Sequence, residues 1–177
     1  MRLLEYAEGT ALVAAAKSSA YHLELRDSYY TEQEVERLRL FRAGEPDPAL
    51  EEWFEPWTRL VTGLIGRGVS MRRIRVVTEP LTEYSHWLHS ITGFNVEAGE
   101  QVRWVGRHTT SPEELARDDW WLLDGALVVY SLFDSGEELS GFAVTDDPVI
   151  AAHCQRVWDV LWARGTDHRD YRPDVQR

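Results

Sequence analysis

At 177 residues, 44% of them apolar and 28% charged, the chain has the size and composition of one globular domain, not of a disordered or fibrous polymer. A formal charge of −11, from 30 acids against 19 bases, repels phosphate backbones and argues against unaided binding of nucleic acid. The single cysteine, Cys154, excludes an intrachain disulfide, and the single lysine, Lys17, set in AAAKSSA, fits neither a Walker-type phosphate loop nor Schiff-base chemistry.

The spacing predicts an N-terminal helix over Leu3 to Lys17, within residues 1–18. The segment YHLELRD (21–27) then alternates as a strand does, with His22, Glu24 and Arg26 on one face and Leu23 and Leu25 on the other. Thr31 and Glu34 make a capping box before a helix carrying Val35, Leu38 and Phe41. AGEPDP (43–48) is a short connection, and Asp47-Pro48 starts a helix with Trp53, Trp57, Leu60, Val61 and Leu64 at helical spacing, ended by Gly66 and Gly68. RRIRVVTE (72–79) reads as a strand, with Ile74, Val76 and Thr78 alternating against Arg73, Arg75, Val77 and Glu79. Pro80 is expected to open a helix whose stripe is Leu81, Tyr84, Leu88 and Ile91, stopped near Gly93.

QVRWVG (101–106) is a further strand, and Ser111-Pro112-Glu113-Glu114 caps a short helical turn. In WWLLDGALVVYSLFD (120–134) the Asp124-Gly125 pair between two apolar runs predicts a hairpin, and Asp134-Ser135-Gly136 leads to a third strand, ELSGFAV (138–144). Asp147-Pro148 caps a last helix with Ile150, Val157, Trp158, Leu161 and Trp162 on its stripe, ending at Gly165; residues 166–177 are polar and expected to form a flexible tail. Alternating helices and strands followed by a meander give an α/β (α+β) fold: a single mixed sheet with a C-terminal antiparallel meander and helices packed on it, in one domain over residues 1–177. No signal-like or membrane-length apolar run is present, so a cytoplasmic protein is expected.

Chemistry-bearing groups are few. His86 and His89, with Glu83 on the same helical face, have a spacing that suits a metal ion, but no second ligand pair accompanies them, and a polar helix face is the simpler reading; no metal or cofactor is expected. No G-x-S-x-G elbow occurs, and Cys154 falls on a stripe expected to be buried. Of Asp118, Asp119 and Asp124, only Asp119 lacks a local turn or capping task. The arginine clusters Arg37-Arg39-Arg42 and Arg72-Arg73-Arg75 read first as solvated faces. Arg26, Arg73, Arg75, Glu79 and Tyr84 are nevertheless placed to line a pocket for an anionic or amide-bearing ligand near a strand end and a helix N-terminus, with a purely structural Arg–Glu network as the alternative. Adjacent Trp120 and Trp121 must point to opposite faces of the sheet, which calls for helices on both faces or an exposed binding surface on one.

The segments YHLELRDSY, GEPDP, RRIRVVTEPLTEY, NVEAGEQVRW, DWWLLDGALVVYSLFDSGEELSGF and VIAAHCQRVWDVLWARG, in this order, resemble the actinobacterial domain-of-unknown-function family 6879 over nearly all of the chain after residue 18. The strand–helix order and the hairpin also resemble one half of the phospholipase D-like fold, but no HxKxxxxD occurs, so hydrolysis by that route is not expected. The resemblance implies an accessory or ligand-sensing regulatory protein working beside a helix-turn-helix transcription regulator; charge and hydropathy lead to the expectation of no direct contact with nucleic acid or membrane. A small biosynthetic-cluster enzyme using the Arg/Glu/Tyr pocket for acid–base chemistry is the alternative.

Overall fold

The computed structural model describes residues 1–111, 115 and 118–174. In chain order the elements are β1 (Arg2–Leu4), α1 (Tyr6–Ala14), β2 (Ser19–Glu24), α2 (Glu32–Ala43), α3 (Leu50–Gly66), β3 (Ser70–Val77), α4 (Glu83–Glu97), β4 (Gln101–Gly106), β5 (Trp120–Leu123), β6 (Leu127–Phe133), β7 (Leu139–Thr145), α5 (Pro148–Arg164) and β8 (Thr166–Asp167). The strands form one mixed sheet in the order β1-β7-β6-β5-β2-β3-β4-β8. β2, β3 and β4 are parallel neighbours, and β5, β6 and β7 make the antiparallel meander. This is the fold class that the alternation of apolar runs implies.

Helices cover both faces. On one, α5 packs Trp158 and Leu161 onto Leu23, Ile74, Trp120 and Leu122. On the other, α1 and α3 close over Met71, Trp121 and Phe142, and α4 closes over Val77 and Trp104. Trp120 and Trp121 thus enter separate cores, as strand alternation requires. Gly9 lets α1 lie flat on the sheet, because a β-carbon there would sit 2.1 Å from the Phe142 ring.

The Asp124-Gly125 hairpin forms with both residues in the left-handed region (φ 53° and 67°). The Asp124 carboxylate also accepts backbone N–H bonds from Lys17, Ser18 and Ser19, tying the hairpin to the start of β2. These bonds outweigh the opposing effect of partial burial and lower its pKa.

Four expectations are corrected. The first residues form β1 along β7 before α1 begins, because an extended segment satisfies the outer edge of β7. Pro80 does not open α4; Thr82 does, its hydroxyl accepting the Ser85 N–H, while the Thr82 and Ser85 hydroxyls donate to the Asp27 carbonyl. That helix runs through Gly93 to Glu97 because Ile91 and Asn95 are still buried, and the chain turns at Gly99 (φ 106°). Residues 166–171 are not a loose tail: Thr166–Asp167 adds a strand to β4, and Tyr171 is buried with its ring stacked on Trp104. The helical turn expected from Ser111-Pro112-Glu113-Glu114 lies mostly outside the described residues.

Candidate functional site

Strand alternation places His22 and Glu24 of β2 on the face opposite Leu23, and Arg73 and Arg75 of β3 opposite Ile74. The parallel register sets His22 beside Arg73 and Glu24 beside Arg75. Four polar side chains therefore stand in two rows across the sheet, each less than a tenth exposed. Above them, between α1, α3, α4 and the approach to α2, lies a cavity of about 770 Å³. Its apolar walls include Trp57, Trp121, Phe54, Phe133 and Leu88, and the exposed Tyr30, Thr31 and Glu32 border it. Volume and lining are those of a small-molecule pocket.

The ion cluster is asymmetric. Arg73 donates to Glu24 and, from Nε at 2.8 Å, to Glu100, a buried residue that also accepts from Asn95 Nδ2 at 2.6 Å and Trp57 Nε1 at 3.3 Å. Arg75 lies 3.1 Å from Glu24 Oε2, within ion-pair range but without hydrogen-bond geometry. Among the described residues, Arg75 Nε, Glu24 Oε2 and His22 Nδ1 have no hydrogen-bond partner although all three are buried. Burial would raise the Glu24 pKa, but the two guanidinium groups override it and hold it at about 2. Burial pushes the His22 pKa down to about 3, against the attraction of Glu24, so the imidazole stacked 3.9 Å from the Trp121 ring is neutral.

Asp119, which precedes β5, accepts the Leu25 N–H at 2.8 Å and the Tyr29 hydroxyl at 2.5 Å. Burial dominates and moves its pKa up to about 7, with Glu24 adding repulsion and the Tyr29 bond opposing it. Tyr84 donates to Glu34 at 2.8 Å; burial raises both groups.

Arg73, Arg75, Tyr84 and Asp119 therefore meet at one cavity. Arg26 and Glu79 do not line it. Arg26 lies over the Phe133 ring at 4.3 Å, and Glu79, beyond the end of β3, accepts the Tyr171 hydroxyl at 2.6 Å and faces His108 at 3.4 Å. The strand that was expected to carry Glu79 into the pocket ends at Val77, where Thr78 turns to bond Asp27. The cavity lies over the face of the sheet, whereas the sequence pointed to the strand ends. Sequence reasoning missed Glu24, Glu100, His22 and Tyr29; the alternation of β2 put the first and third on the right face, but nothing local paired them with β3.

The other candidates are embedded elsewhere. His86 packs edge-on against Phe41, whereas His89 lies among Trp104, His168 and Tyr171, so the two histidines serve different surroundings. Cys154 is buried 3.8 Å from the Tyr130 hydroxyl, and burial raises its pKa, which leaves the thiol protonated. No group of three or more His, Cys, Asp or Glu placed to hold a metal ion occurs among the described residues. No helix among them is long and apolar enough to cross a membrane.

Among solved structures, the chain is similar to a phospholipase D family member, Nuc from Salmonella typhimurium, with 17% identity, a TM-score of 0.54 and 97% of each chain covered. At that identity the likeness is one of fold. A comparison with curated proteins finds no match. The model of the domain of unknown function DUF6879 matches residues 7–173, and the chain belongs to that family.

Proposed function

We propose that the protein is a ligand-sensing accessory domain whose cavity binds a small molecule and whose bound state is read by a helix-turn-helix transcription regulator. One observation carries the ligand: a cavity of about 770 Å³ is lined by Glu24, Arg75 and His22, each of which keeps a buried polar atom without a hydrogen-bond partner. Buried polar atoms in folded proteins are almost always satisfied, and an occupant of the cavity would satisfy these. The regulator as reader rests on the family resemblance, and the acidic surface, at −11, suits a protein that does not itself grip DNA.

Native mass spectrometry of the protein from its source host tests the ligand. A bound small molecule is expected, and it should be lost in Arg75→Met. Retention in that variant would place the ligand elsewhere; a bare protein that no metabolite stabilises thermally would leave a scaffold only. Co-purification of a helix-turn-helix regulator with the protein from its source host tests the reader, and no complex at micromolar concentration would count against it.

A second reading, acid–base catalysis, is favoured by Asp119, whose pKa of about 7 and bond to Tyr29 suit a proton-transfer group. It requires turnover that Asp119→Asn abolishes.

A further inference from the structure

Among the described residues, the cavity lining brings five carboxyl groups (Glu24, Glu32, Glu34, Asp119 and Glu138) against two guanidinium groups, Arg73 and Arg75. Both cations are already matched. Arg73 sits between Glu24 and Glu100, and Arg75 faces Glu24 at 3.1 Å. An anion entering this space would find no uncommitted positive charge and would meet an excess of acids. Glu24 is matched as well, its Oε2 lying 3.1 Å from Arg75 and its Oε1 beside Arg73; the carboxyls of the lining for which the described residues show no ion pair are Asp119 and Glu34 and, at the exposed rim, Glu32 and Glu138. The walls around them are aromatic.

We infer that the cavity takes a protonated amine carried on an apolar or aromatic body, with a carbonyl or hydroxyl oxygen near the amine. The inference rests on the ligand-binding reading of this cavity and reverses the sign of charge that its arginines suggest. The ammonium group meets the carboxyls of Asp119 and Glu34, and the neighbouring oxygen faces the side of the cavity that Arg75 lines. The rings of Trp57 and Trp121 border the body, Trp57 carrying Arg73 and Trp121 carrying His22 on one face.

The acids are held in a form that responds to such a ligand. Asp119 faces Tyr29, Glu24 and Arg26, and Glu34 faces Tyr84, Thr31, Arg75 and Glu24; burial raises both carboxyls. A cation placed against them favours their ionised forms, so binding expels protons and strengthens as pH rises through about 7 for Asp119.

Calorimetric titration with three probes on one phenyl body tests this: phenylalaninol, a protonated amine with a neighbouring hydroxyl, its uncharged N-acetyl derivative, and the anion phenylpropionate. The amine should bind about tenfold or more tighter than either counterpart, the least that a charge-assisted hydrogen bond to a buried carboxylate supplies. Repeating the titration in buffers of different ionisation enthalpy should show net proton release. Asp119→Asn, which keeps one of the two oxygens that accept from Leu25 and Tyr29, and Glu34→Gln should each lower amine affinity more than N-acetyl affinity and so erase part of the preference.

Equal or tighter binding of the anion overturns the inference but leaves the ligand-binding reading standing. Full preference retained in both variants also overturns it, by placing the amine away from these acids. If none of the probes binds while the host-derived protein carries another small molecule, the amine class is wrong and the cavity is still a receptor; if that protein is bare as well, both readings fall.

Discussion

Glu100 offers the sharpest test of how the sheet holds its charges. The residue is 1% exposed and accepts from Arg73, Asn95 and Trp57, joining β3, α3 and α4 at one carboxylate. Glu100→Ala leaves Arg73 with Glu24 as its remaining carboxylate partner and strands the donors of Asn95 and Trp57 in the interior. Removing one member of a buried, hydrogen-bonded ion pair costs about 3–5 kcal/mol, chiefly because the remaining charge stays desolvated. For a chain of this length each kcal/mol lowers Tm by about 2–4 °C, so a fall of roughly 6–20 °C is expected. Glu100→Gln keeps the shape and an acceptor and should cost distinctly less. Urea unfolding followed by circular dichroism gives the free energies, with the slope m showing whether the unfolded state has changed. A loss below about 1 kcal/mol at constant m, the range of a solvent-screened surface pair, would refute the argument that the network is dry.

Three further predictions concern the same scaffold. Asp119 keeps its proton in the folded chain up to about pH 7, whereas the unfolded chain gives it up near 3.8; its contribution to stability therefore declines as pH rises between these values. His22 acts oppositely, losing stability as pH falls from 6.5 towards about 3, because the unfolded chain takes up a proton that the folded chain refuses. Asp119→Asn should thus gain on the wild type as pH goes from 4 to 8, by at most about 4 kcal/mol, and parallel stability curves would contradict the assignment. Gly9→Ala should destabilise by about 1–2 kcal/mol, since displacing Phe142 outweighs the gain in helix propensity. Phe142→Leu in the same chain should recover part of that loss, and strict additivity would show that the ring is not the obstacle. Asp124→Ala, which removes the acceptor shared by three backbone N–H groups, should cost about 1–2 kcal/mol in denaturant, and Asp124→Asn less; equal losses would assign the effect to turn conformation alone.

The sheet was largely legible because its signals are local. Alternation in residues 72–77, the Asp124-Gly125 turn and the Asp147 cap each act within a few residues, and each appears where expected. The ends of the chain were misread for a physical reason. β1 and β8 are three and two residues long, too short to show a period, and they exist because β7 and β4 offer them an edge. The cavity was half legible. Arg73, Arg75, Tyr84 and Asp119 could be singled out by residue type, but which carboxylate neutralises which arginine depends on the pairing of β2 with β3 across some fifty residues, which no window of sequence reports. The acids that change the character of the pocket, Glu24 and Glu34, looked like ordinary strand and capping residues, and only the helices placed over them make them interior.

The order in which β2 acquires its neighbours sets a timetable for synthesis. Its parallel partner β3 is complete at Val77, so a nascent chain can close Arg73 and Arg75 on Glu24 while its other partner, Trp120–Leu123, has yet to be made. Until then the far side of β2 is a bare edge rich in apolar groups, the kind of surface that recruits chaperones or sticks to another copy. In chain order the partners of Glu24 thus precede the hairpin that carries Trp121 and Ser131, and the wall of the cavity is incomplete until that hairpin has been made.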